Sequence, residues 1–268
     1  MPPAADTPAP RSGSDSAAGA CTISPEIYDI AFGWNPLPEV QRLLLLAREA
    51  GIEPRSALEL GCGTGRLLAA LRALCPDAAG LELSPEMAAL AAQRSGAEIV
   101  VGDMTTFELG RRFDLLYTSA NTIRHATDDA SITGLWRCAA AHLNPGGVFI
   151  ADLELGFADE AGKVGKPATW MLARGETLVH VQWIVATPPD PVSRTVEIEW
   201  VFEARGPQPG EWRQRFALRV FDAGEFVQRA TREHALGLVG IFELRDPYLL
   251  PRPIEKAVGR SLVVLQRA

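Results

Sequence analysis

Cysteine is scarce in this sequence and never paired. Cys21, Cys62, Cys75 and Cys138 stand in no spacing that would hold a metal or form a redox couple, which excludes a disulfide scaffold and a thiolate zinc site. They read as free thiols in a reducing compartment, so the expected location is cytoplasmic. Long apolar runs are also missing. The longest near the start spans only residues 43–47, too short for a membrane helix or a signal-peptide core. Basic charge is not in excess: 26 Lys and Arg against 33 Asp and Glu give a net charge of −7, with no electrostatic footprint for nucleic acid or an anionic membrane. No internal repeat is evident. What is present is 268 residues with 47% hydrophobic content, enough to bury a sizeable core.

Residues 1–22 are dominated by Pro, Ala, Ser and Gly, a composition that cannot repay the entropy of ordering, and a disordered tail is expected there. Residues 23–55 carry Tyr28, Phe32 and Trp34 and then a helical pattern through Val40, Leu43, Leu44 and Ala47. An apolar run over 57–60 then ends at Gly61, Gly63 and Gly65, and Leu67, Leu68, Leu71 and Leu74 follow on one helical face. This is a buried strand, a glycine turn and a helix start. Glycine lets a ligand approach the backbone, and the free N–H groups of the new helix favour an anionic or electron-rich group. The dinucleotide fingerprint would need a glycine at 66, where the chain has Arg66, so that spacing fails.

Further elements repeat the strand–helix alternation. A second strand ends at Glu82 and Leu83 and is followed by Ser84-Pro85-Glu86, a helix-start signature. A carboxylate at a strand's carboxyl end can accept from vicinal ribose hydroxyls. A third strand over 98–101 leads into Gly102-Asp103-Met104, and a fourth over 113–118 opens into Ser119, Asn121, Arg124 and His125. The helix containing Trp136 then runs into Asn144-Pro145-Gly146-Gly147 and a fifth strand.

These four motifs in this order, beginning with Glu59-Leu60-Gly61-Cys62-Gly63-Thr64-Gly65, resemble the class I S-adenosylmethionine (SAM) dependent methyltransferases, of the type that acts on nitrogen or oxygen of small molecules. The resemblance implies a doubly wound, seven-stranded, mostly parallel sheet of Rossmann-like α/β class. It implies SAM as cofactor, a small-molecule acceptor in secondary metabolism, and no metal. The segment 23–55 would be a helical lid over a core at 56–155. The cofactor set would be Tyr28, Glu59, Gly61, Cys62, Gly63, Gly65, Glu82, Leu83, Asp103, Met104 and Ser119, with Asp103 accepting from the adenine amine and Met104 against its ring.

After the fifth strand, segments near 169–173, 178–186, 195–204 and 212–221 are rich in Val, Ile, Trp and Phe with period-2 alternation, separated by Gly and Pro turns. An antiparallel insertion over 156–221 is expected, roofing the acceptor pocket or forming a homodimer contact. A helix and two closing strands would follow over 222–268. Trp34, Asn121 and Arg124 are the candidate acceptor contacts. His125 is the candidate general base, expected to titrate at roughly 6 to 7.5; binding an acidic acceptor, or a structural role, are its alternatives. Two other readings remain at this stage: a SAM-binding relative without methyl transfer, and a nicotinamide-type oxidoreductase.

Overall fold

The computed structural model describes residues 23–232, 234–244, 246 and 249–268; the expected tail lies outside them. Helices α1 (Pro25–Ala31) and α2 (Leu37–Glu49) precede an alternation of β1 (Ser56–Leu60), α3 (Arg66–Arg72), β2 (Asp77–Glu82), α4 (Pro85–Ser95), β3 (Glu98–Val101) and β4 (Phe113–Thr118). Helix α5 (Asp129–His142), β5 (Leu143–Leu155) and the short α6 (Phe157–Ala161) come next. Four strands follow, β6 (Ala168–Arg174), β7 (Thr177–Val185), β8 (Thr195–Arg205) and β9 (Gly210–Arg219). The chain closes with α7 (Ala223–Thr231), β10 (Leu236–Glu243) and β11 (Gly259–Arg267).

The main sheet has the order β10-β11-β5-β4-β1-β2-β3. Strands β1 to β5 pair in parallel, and β11 runs antiparallel to both β5 and β10. A parallel sheet is covered on both faces, so its strands must be apolar on both. Leu58, Leu60 and Phe149 pack with Trp136 of α5 and Phe226 of α7 on one side. Ala57, Leu115 and Ile150 pack with Leu43 of α2 and Leu68 of α3 on the other. The Ser84 hydroxyl caps α4 by accepting from the Met87 N–H at 3.2 Å, as Ser84-Pro85-Glu86 predicts.

The insertion is a separate antiparallel sheet, β6-β7-β8-β9, in the connection between β5 and α7. The alternation expected in β8 holds at its start, where Val196 and Ile198 are buried and Glu197 is exposed, and breaks where Val201 and Phe202 are buried in succession. Helix α1 belongs with this sheet. Its Ile27, Ile30 and Ala31 pack on Val179, Val181 and Phe202, and the Trp170 indole N–H donates to the Ala31 carbonyl at 2.8 Å. Helix α2 instead joins the core layer through Val40, Leu43 and Leu46.

Candidate functional site

The loop from β1 to α3 contains three left-handed glycines, at φ +67°, +54° and +74° for Gly61, Gly63 and Gly65, a region that costs any residue with a Cβ. They serve different ends. A Cβ on Gly65 would sit 2.8 Å from Cα of Ala91, so this glycine lets α3 approach α4, and it is not among the residues lining the cavity. A Cβ on Gly61 would strike the Thr122 side chain. At Gly63 the space is open, with Cε1 of Tyr28 the nearest atom at 3.9 Å. Bare backbone facing free space is what a SAM-sized ligand requires, and these residues fit one.

A cavity lies over this loop. It is bounded by Gly61 to Thr64, Arg66 and Leu67, by Ser119 to Thr122 with His125, by Tyr28, Phe32 and Trp34, and by Trp183 and Trp200 of the insertion. Its floor includes Glu59, a fully enclosed carboxyl that accepts from the Tyr117 hydroxyl at 2.8 Å and from Ser119 Oγ at 3.4 Å. Burial pushes the Glu59 carboxyl up to about 8, despite those hydroxyls. It is therefore protonated at neutral pH, and a cation brought beside it would draw the proton off. Burial likewise raises the Cys62 thiol, leaving it a poor nucleophile.

The turn after β4 holds two consecutive non-glycine residues in the left-handed region, Ala120 at φ 51° and Asn121 at φ 67°, a costly conformation kept only where its surroundings impose it. Strand β5 imposes it here. The Ala120 N–H donates to Asp152 Oδ2 at 3.2 Å, the Asn121 N–H to the Asp152 carbonyl at 3.1 Å, and Asn121 Oδ1 accepts from the Glu154 N–H at 2.7 Å. Asp152 is held in turn by Arg260.

His125 lies on the 3-10 turn Thr122–His125, its ring stacked on Phe216 at 5.3 Å. The residue is exposed and borders the cavity. The surrounding protein and the adjacent Arg124 guanidinium lower it to about 4, which corrects the expected titration near neutrality: the imidazole is uncharged at working pH. Arg124 is also corrected. It is 1% exposed, donates to Glu160 Oε1 at 2.8 Å and to the Arg219 carbonyl at 2.7 Å, and so braces the turn without reaching an acceptor.

Two polar clusters join the N-terminal segment to the glycine loop. Asp29 of α1, 2% exposed, accepts from Thr64 Oγ1 at 2.7 Å and pairs with Arg94 of α4 and Arg174 of β6. Burial pushes its carboxyl up, but the hydrogen bonds from Arg94, Thr64 and Arg174 more than offset this, and the net shift is downward. Glu39 accepts from both terminal guanidinium nitrogens of Arg66, at 2.8 and 3.0 Å, and from the Trp34 indole N–H at 2.7 Å. The Arg66 guanidinium also lies over the Trp34 ring, 4.9 Å from its centre.

The remaining expected cofactor contacts lie beyond the enclosed cavity, along the ends of β2 and β3. Glu82 accepts from the Gly63 N–H at 2.8 Å and the Ser84 N–H at 3.0 Å, which ties the second strand to the loop. Leu83 is exposed. Asp103 Oδ1 accepts from the Thr105 N–H at 2.7 Å in a local turn, and Met104 is half-buried against the core. Sequence reasoning missed Asp29, Thr64 and Trp183. Thr64 sat within the recognised motif, whereas the other two come to the site from segments with no motif. Among the described residues no cluster of three or more His, Cys, Asp or Glu could hold a metal, and no helix is long and apolar enough to cross a membrane.

A methyltransferase domain model matches residues 57–147. A trans-aconitate 2-methyltransferase from Methylobacterium radiotolerans is 30% identical over 218 residues, 76% of each chain. A dTDP-3-amino-3,6-dideoxy-alpha-D-glucopyranose N,N-dimethyltransferase from Streptomyces fradiae is 29% identical over 180 residues, 61% of this chain and 71% of that one. Among solved structures, the sugar N-methyltransferase KedS8 from Streptoalloteichus superposes with a TM-score of 0.73 at 26% identity, covering 96% of this chain and 98% of that one. With the glycine loop, the sheet order and the cavity described above, these similarities place the chain in the class I SAM-dependent methyltransferase family, acting on a small-molecule acceptor.

Proposed function

We propose that the protein methylates an amine nitrogen, on an amino sugar or a similarly substituted small molecule, and that a carboxylate is not its acceptor. One observation carries the choice. The cavity's acceptor side is made of aromatic rings and an uncharged imidazole, and the one guanidinium on its lining, Arg66, is already held by both oxygens of Glu39. A polycarboxylate such as trans-aconitate would enter with no free cation to meet it, a large desolvation cost. A neutral amine loses far less.

SAM supplies a methyl group on a sulfonium, activated by its own charge. Gly63 would give the backbone room for it, Glu59 and Ser119 would border its methionine end, Tyr28 would cover it, and Glu82 would accept from its ribose. The lid segment and the insertion exclude water and hold the acceptor nitrogen in line with the methyl, which is worth up to about 7–11 kcal/mol when alignment is good. Neutral His125 accepts the amine N–H and so aims the nitrogen lone pair; an imidazole this acidic is a poor proton acceptor from an ammonium.

The pH dependence separates orientation from base catalysis. His125 stays uncharged from pH 5 upward, because its lowered value of about 4 lies below that range. Any acid limb between pH 6 and 9 is then expected to belong to the acceptor amine and to persist unchanged in His125→Gln. In that variant the Michaelis constant for acceptor should rise more than turnover falls. A limb near pH 6.5 that vanishes with the imidazole would restore the base assignment.

The reading as a whole is tested by product analysis with methyl-labelled SAM on amino sugars, their nucleotide conjugates and trans-aconitate. Label on nitrogen is expected. Label found solely as a methyl ester would overturn it.

A further inference from the structure

The wall facing the acceptor side of the cavity is a continuous set of rings from three strands of the insertion. Trp183 of β7 stands opposite Trp200 of β8 in register, with ring centres 5.2 Å apart at 60°. Phe216 of β9 lies behind them, 5.0 Å from Trp200 and 5.9 Å from Trp183, and stacks His125 from the other side. Tyr28 and Phe32, which also line the cavity, pack on Trp200 with ring centres at 6.2 and 5.8 Å. The Trp200 indole N–H is buried without a partner, so packing alone orients this ring. Among the described residues the cavity lining has no unengaged fixed cation to repel a positive ligand; its one enclosed acid, Glu59, lies on the loop side.

We infer that Trp183 and Trp200 form an aromatic seat for an alkylammonium group, the charged form an amine takes on methylation, and that this seat determines which acceptors and products the site retains. The inference deepens the amine reading and rests on it. Methyl transfer forms an N–C bond from the nitrogen lone pair and breaks the S–C bond with its electron pair left on sulfur, so positive charge passes from sulfur to nitrogen. Ring faces carry negative quadrupole density and attract such a charge, most strongly when water is excluded. The seat thus favours the side to which the charge moves. It also suits a nitrogen that already bears alkyl groups over one that bears only hydrogens, because the alkylated ion is the less strongly hydrated.

The test uses binding and does not depend on turnover. With the protein loaded with S-adenosylhomocysteine, which has no sulfonium charge, choline and its uncharged carbon isostere 3,3-dimethylbutan-1-ol are titrated by calorimetry or ligand NMR. Choline should bind about 2- to 30-fold more tightly, the span of cation–π energies at tenfold per 1.4 kcal/mol. Site-specific mono-, di- and trifluorotryptophan at position 200 preserve shape while draining the ring face; they should weaken choline stepwise and leave the isostere unchanged. Equal binding of the two probes, no choline binding at all, or a fluorine series without slope would each overturn the seat. Failure of S-adenosylhomocysteine itself to bind would instead count against the cofactor reading, so the two failures are distinguishable.

Discussion

Gly63→Val is expected to lower SAM affinity by at least 100-fold while leaving the protein folded. The valine side chain would occupy the one stretch of loop backbone that faces open space, with only Cε1 of Tyr28 near at 3.9 Å, and it would also resist the left-handed φ of +54° at a cost of about 1–2 kcal/mol. That strain is small against the stability of a domain of this size, so the melting transition should move by only a few degrees. Calorimetric titration with SAM and a thermal scan decide it. Gly65→Val provides the contrast: it drives a side chain into the Ala91 backbone of α4 and should reduce folded yield first. If Gly63→Val binds SAM as the parent does, the space above it is not the cofactor's.

The second large effect is expected at Asp29. Truncation to alanine leaves Thr64 without its acceptor and two arginines without their shared carboxylate. We expect a loss of about 2–4 kcal/mol, towards the low end for a broken buried pair because the arginines can rehydrate; their side chains remain 24% and 53% exposed for Arg94 and Arg174. Urea titration measures it. SAM affinity should fall as well, since Thr64 lies in the loop. The acid dependence carries a signature. With its folded value lowered, the Asp29 carboxylate contributes stability that is complete above the unfolded value of about 3.9 and is lost as pH falls through the folded one. The parent should therefore lose stability more steeply than Asp29→Asn below about pH 4. Parallel curves, or an unchanged urea midpoint in the alanine variant, would show that the cluster carries no weight.

The parallel core was readable from the sequence because its strands are short, apolar on both faces and followed by capped helices, as at Ser84-Pro85-Glu86. The insertion was readable for the opposite reason, since the start of β8 sets buried Val196 and Ile198 on either side of exposed Glu197, as a one-sided strand should. Local pattern was silent about partners brought from far along the chain. Arg124 looked available beside His125, yet it is buried against Glu160, 36 residues on. The charge state of His125 was misjudged because it depends on the protein packed around it and on the adjacent Arg124 guanidinium, and no spacing rule reports the former. Asp29 gave no signal at all, because its partners at 64, 94 and 174 belong to three different elements.

Because α1 is seated on the insertion through Ile27, Ile30, Phe202 and the Trp170–Ala31 hydrogen bond, these two stretches form a single inheritable unit although 139 positions separate the bonded pair. A chimera that exchanged only residues 156–221 for those of a relative would strand the native α1 on a foreign surface, and recombination between 31 and 168 would separate partners that pack on one another. Changes of acceptor within this lineage should therefore occur as paired replacements at both places, with the glycine loop between them passed on intact.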